Sequence, residues 1–150
     1  MAPTQPPRAP APLPEHVQVF VVGAGFAGLG TAIKLQESGI TDFLVVDRGD
    51  DVGGTWRDNT YPGAACDVPS QLYSFSFAPN PDWSRSFSPQ PEIQAYLQRV
   101  ARESGTLDHV RFGRFARWRR RANAGDWDVA KAGDHFAGSP DGKPDRKCVV

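Results

Sequence analysis

The stretch VFVVGAGFAGL, residues 19–29, decides the fold. Val19, Phe20, Val21 and Val22 continue an apolar, β-branched run that begins at Val17. Such a run reads as a short strand buried on both faces. It stops at Gly23, and Gly23-Ala24-Gly25-Phe26-Ala27-Gly28 is a Gly-x-Gly-x-x-Gly. Leu29, Ala32, Ile33 and Leu35 then recur at roughly helical spacing, with Lys34, Gln36 and Glu37 facing out. Glycines between an apolar strand and an amphipathic helix each have a physical task. Gly23 permits the tight turn, Gly25 lets backbone approach a pyrophosphate, and Gly28 lets the helix pack close on the strand. The bare amides and the positive end of the helix dipole then suit a diphosphate. Gly23, Gly25, Phe26, Ala27 and Gly28 are therefore the candidate phosphate-binding residues.

Moving outward, Gly39 stands where a left-handed helix cap belongs. Phe43-Leu44-Val45-Val46 is a second buried strand, ending at Asp47. Strand, helix and strand within about 30 residues make a βαβ unit, so the two strands run parallel. Asp47 follows the glycines by roughly 20 residues, where a carboxylate accepts a hydrogen bond from a ribose 2′-hydroxyl. It would repel a 2′-phosphate, so this site permits FAD or NAD and rejects NADP. Residues 48–90 are rich in Gly, Pro, Asn and Ser, and a stretch of that length implies a task. A second helix is predicted from Pro91, at its first position, with Ile93, Tyr96, Leu97 and Val100 on one face and Gly105 at its end. Val110 and Phe112 suggest a strand, and Trp127 with Val129 another, in a β-meander. The fold class is α/β: an incomplete Rossmann-like βαβ domain with a β-meander insertion. It spans residues 16–137, between a disordered Pro-rich leader (1–15) and an unassigned tail (138–150).

Lys+Arg and Asp+Glu balance at 17 each. A neutral chain has no global field to attract nucleic acid or an anionic membrane. The longest apolar stretch, residues 17–29, is too short to span a bilayer and is interrupted by glycines. An Arg-rich run from Arg111 to Arg121 reads as a solvated hairpin face or as the product of an altered reading frame. Cys66 and Cys148 make no metal-ligand pattern, so both are expected as free thiols in a reducing cytoplasm, and no metal site is expected. His109 and His135 are read as surface or core histidines.

The segment after the second strand separates FAD from NAD. Gly53 and Gly54 allow close backbone approach to a ligand, and Trp56 offers a flat apolar surface. By themselves these residues suit a glycine turn and a packing Trp equally well. The run GGTWRDNTYPGAACDVPSQLYSFSF, residues 53–77, resembles the flavin-contacting loop of Baeyer–Villiger and related flavin-containing monooxygenases. The stretch FSPQPEI, residues 87–93, and the order of elements from Val17 to about Phe112 are also similar to that family.

The resemblance implies FAD and NADPH as cofactors, with a small organic substrate and O2. NADPH reduces the flavin, and oxygen is then delivered to a ketone or a heteroatom. It implies that Gly54, Thr55 and Trp56 line the flavin or its ribityl chain and that Tyr73 contacts the flavin region. It also implies that Asp67 is the catalytic aspartate beside the flavin ring; read from the residues alone, Asp67 suits an Asx turn before Pro69. The family's second Gly-x-Gly-x-x-Gly and its Phe-x-Gly-x-x-x-His-x-x-x-Trp signature do not occur in these 150 residues. The NADPH site is accordingly expected beyond them, and the sequence reads as a truncated N-terminal portion, inactive alone. The alternatives are a non-catalytic flavin-binding fragment and an NAD-dependent dehydrogenase domain.

Overall fold

The structure, a computed structural model, describes residues 13–14, 16–120 and 125–131. Nearly all of the predicted leader, the 138–150 tail, His135 and Cys148 lie outside the described residues.

The chain runs from β1 (Val19–Val22) through α1 (Phe26–Glu37) into β2 (Phe43–Val46). β1 and β2 are parallel, in the register Val19 to Phe43 through Val22 to Val46. The Gly39 amide caps α1 by donating to the Gln36 carbonyl, and Gly39 takes the predicted left-handed conformation at φ +77°. β2 is buried at all four positions, because it lies between two strands. β1 is only half-buried, where burial on both faces was expected; it stands at the edge of this sheet and meets β2 on one side.

The predicted second helix is α3 (Gln90–Glu103), preceded by one short turn, α2 (Thr55–Asp58). Pro91 occupies the second helical position rather than the first, since Gln90 opens the helix. Proline fits both positions, because the amides of the first turn have no partner within the helix. Ile93, Tyr96, Leu97 and Val100 are buried, as their spacing requires. Tyr96, Leu97 and Val100 join Leu29, Ala32 and Ile33 of α1 and Phe43 and Val45 of β2 in one core.

Val110 and Phe112 were assigned to the meander, and here the structure differs. β3 (Val110–Arg111) ends before Phe112 and pairs parallel with β2, giving the sheet order β1-β2-β3. A two-residue strand is too short to show a period, so its partner was not readable. Of the meander, the described residues show an antiparallel hairpin of β4 (Arg114–Arg120) and β5 (Gly125–Lys131), with Trp118 opposite Trp127 in register. The His109 ring is half-buried and stacks on Phe43 at 4.1 Å.

Candidate dinucleotide site

The turn between β1 and α1 behaves as its glycines require. Gly23 adopts φ +95°, which strains any side chain. A Cβ on Gly28 would overlap the Gly23 carbonyl oxygen, so helix and strand touch through bare backbone. The first α1 amide to bond back is that of Leu29, donating to the Gly25 carbonyl at 2.9 Å. The amides of Gly25, Phe26, Ala27 and Gly28 precede that bond and donate to no other described residue.

Asp47 is 6% exposed at the end of β2. Its Oδ2 accepts the Ala24 amide at 2.7 Å, tying β2 to the glycine turn. Its Oδ1 accepts the Gly49 amide at 2.7 Å and Arg57 Nη1 at 2.8 Å. The carboxylate thus lies beside the turn and is already engaged with protein donors. Arg57, which the sequence reading passed over, also donates to the Asp51 carbonyl at 2.5 Å and, through Nε, to Asp58 at 2.8 Å. Burial draws the Arg57 pKa down, but its hydrogen bonds with Asp58 and Asp47 outweigh that and the net shift is upward.

The Gly53–Gly54 turn packs on the first one. The Gly53 amide donates to the Ala24 carbonyl at 2.9 Å. A Cβ on Gly54 would come within 3.2 Å of Gly25 Cα, and Gly54 holds φ +53°. Gly25 and Gly54, twenty-nine positions apart, therefore form one cradle that side chains would fill. Beyond it, Trp56 Nε1 donates to the Tyr73 hydroxyl at 3.1 Å, with the rings edge-to-face at 5.2 Å. Phe26 packs against Tyr73, Phe75 and Tyr96. Burial raises the Tyr73 pKa, so its hydroxyl keeps its proton at neutral pH. Thr55 and Ala27 are exposed.

Asp67 stands apart from this cluster. It is exposed and makes no hydrogen bond with another described residue. Its loop is nonetheless anchored. The Cys66 amide donates to the Ser88 carbonyl at 3.0 Å, and buried Ser70 Oγ donates to Ser88 Oγ at 2.8 Å. Cys66 is a buried free thiol, as expected.

Sequence reasoning also missed a ladder of glutamines. Gln90, Gln94 and Gln98 stand four apart on α3, hence on one face. Their side-chain amides donate to the Trp56 carbonyl, to the Val52 carbonyl at 2.8 Å and to Asp51 Oδ2 at 2.6 Å. The spacing itself was the available signal. Among the described residues no His, Cys, Asp and Glu side chains cluster as a metal site, and no helix is long and apolar enough to cross a membrane.

Residues 21–100 match the family described as NAD(P)-binding Rossmann-like domain. A Baeyer-Villiger monooxygenase of Streptomyces coelicolor is 63% identical over 98 residues, which are 65% of this chain and 19% of the relative. One from Pseudomonas aeruginosa is 45% identical over 138 residues, 89% of this chain and 25% of the relative. The chain thus spans a fifth to a quarter of the length of these relatives. The structure of OTEMO in complex with FAD and NADP superposes with a TM-score of 0.68 at 29% identity, over 85% of this chain and 24% of that one. An oxidized steroid monooxygenase bound to NADP does so at 0.64 and 39% identity, over 67% and 20%.

Proposed function

From the premise that this chain belongs to the NAD(P)-binding Rossmann-like domain family, we propose that residues 16–137 form the FAD-binding part of a Baeyer–Villiger-type monooxygenase. The observation that carries this reading is the cradle formed by Gly25 and Gly54. A dehydrogenase site needs the first glycine turn only. Here a second backbone-only turn closes on the first and leads directly to Trp56 and Tyr73.

The residues present fit the cofactor. The amides of Gly25, Phe26, Ala27 and Gly28 hold the diphosphate, with Gly23 shaping the turn. Asp47 accepts a hydroxyl of the adenosine ribose. Gly54, Thr55 and Trp56 line the flavin side, and Tyr73 fixes the Trp56 indole through its hydroxyl. Asp67, exposed on an anchored loop, is the catalytic carboxylate, placed to meet chain outside these residues. FAD, when bound, supplies hydride acceptance from NADPH and activation of O2. The protein's contribution is to bind, orient and exclude water with these groups.

NADPH binds outside residues 1–150 in this reading, and the substrate is a small ketone or heteroatom compound. The protein acts in the cytoplasm, without nucleic acid or membrane as partner. The share of the relatives that these residues span favours a companion reading: alone they hold flavin without turning over NADPH. The purified chain tests both. Flavin absorbance bands that persist through desalting support the site, and colourless, folded protein that takes up no added FAD overturns it. NADPH oxidation with product formation would overturn the companion reading.

A further inference from the structure

A carboxylate offers about four lone-pair positions. In Asp47 three are filled: Oδ1 accepts Gly49 and Arg57, and Oδ2 accepts Ala24. One position, on Oδ2, remains. The only side chain among the described residues that fixes this arrangement is Arg57. Its side chain is 12% exposed; the guanidinium is held from behind by Asp58 and joins the Asp47 carboxylate to the Asp51 carbonyl at the start of the Gly53–Gly54 turn. A Cβ at Gly49 would overlap the same guanidinium, so the chain around it leaves the guanidinium little space to move.

We propose that Arg57 is a positioning residue of the adenosine-ribose subsite: it holds Asp47 in the one orientation that presents a single acceptor, Oδ2, to the ribose 2′-hydroxyl. This rests on the FAD reading above and deepens it. Without the guanidinium, Oδ1 loses its second donor, and only the Gly49 and Ala24 amides, one on each oxygen, hold the carboxylate's orientation. The carboxylate is also left as a buried charge without its cation, and such a group seeks solvent or a proton. Lysine would restore charge but not the rigid plane in which Nε is held by Asp58 while Nη1 donates to both the Asp47 carboxylate and the Asp51 carbonyl.

The test compares ADP with 2′-deoxy-ADP by calorimetric titration of the whole chain. A hydrogen bond to a charged acceptor corresponds to about ten-fold or more in affinity. The wild-type protein should therefore prefer ADP by about ten-fold. In Arg57→Met that preference should fall towards unity, and in Arg57→Lys only part of it should return. A purely structural loss would weaken both nucleotides alike and leave their ratio unchanged. Asp58→Asn, which removes the support behind the guanidinium and not the guanidinium itself, should lower the ratio partway and decides the matter if Arg57→Met does not fold. Folded variants that keep the wild-type ratio overturn the role of Arg57. Wild-type protein that binds both nucleotides equally overturns it while the FAD site stands. Wild-type protein that binds neither ADP nor FAD overturns both.

Discussion

Gly28 and Tyr96 show how single positions hold the site in place. Any side chain at Gly28 must push α1 away from the Gly23 carbonyl. Gly28→Ala is therefore expected to destabilise by about 2–3 kcal/mol, read as a lower urea midpoint. Tyr96 is buried among aromatic rings, accepts the Phe75 amide at 2.7 Å and donates to the Ala78 carbonyl at 2.8 Å. Tyr96→Phe leaves both backbone groups without that partner and should cost about 1–3 kcal/mol by denaturant titration. Asp58 gives a pH signature. The hydrogen bond from Arg57 lowers its pKa, despite some burial. Its contribution is present above the unfolded value, near roughly 4, and is lost as acid carries the pH down through the folded value. Its side chain is 36% exposed, so screening keeps the effect small. Asp58→Asn should flatten the acid limb of a stability–pH curve by lowering the neutral plateau slightly, with the two proteins converging in acid below the folded value. At this scale the glycines and Asp47 were legible, because each has a conformational or spacing requirement that sequence alone expresses. Arg57 was not, because a cation ten positions from its carboxylate carries no pattern.

At the level of elements, α1, β2 and α3 were legible from apolar period, and the length of residues 48–90 announced a task without describing it. That segment packs Val52, Trp56, Phe75 and Phe77 into or against the core and is also held by side-chain bonds to backbone from α3. Such bonds leave no hydrophobic signature. The glutamine ladder makes the dependence testable. Gln94→Ala should speed hydrogen exchange of the amides in residues 52–58 and leave the interior of α3 protected. The proximity is close: a Cβ on Gly53 would overlap Gln94 Oε1, a buried oxygen with no partner among the described residues. For β3 a strand at Val110 was legible but its parallel pairing with β2 was not, because two residues announce no partner.

For the molecule as a whole, the consequence of the cradle is linkage. A ligand that binds only the folded state raises stability by about 2.7 kcal/mol at a hundred times its Kd. Saturating FAD should therefore raise the melting temperature by several degrees, and Gly54→Val, at φ +53° and against Gly25, should abolish most of that rise. Adenosine alone, lacking the diphosphate, should give a much smaller shift. A heat-denaturation series with the three ligand conditions checks both statements.

The staple beneath the Asp67 loop also turns Cys66 into a stopwatch. The residue is 5% exposed, and its sulfur lies 3.7 Å from Ser70 Oγ, which in turn donates to Ser88 Oγ. A thiol reagent can reach it only during moments when residues 66–70 lift from residues 86–88. In a Cys148→Ser background, the pace of alkylation reports how often the carboxylate's platform breathes, and Ser70→Ala should quicken it.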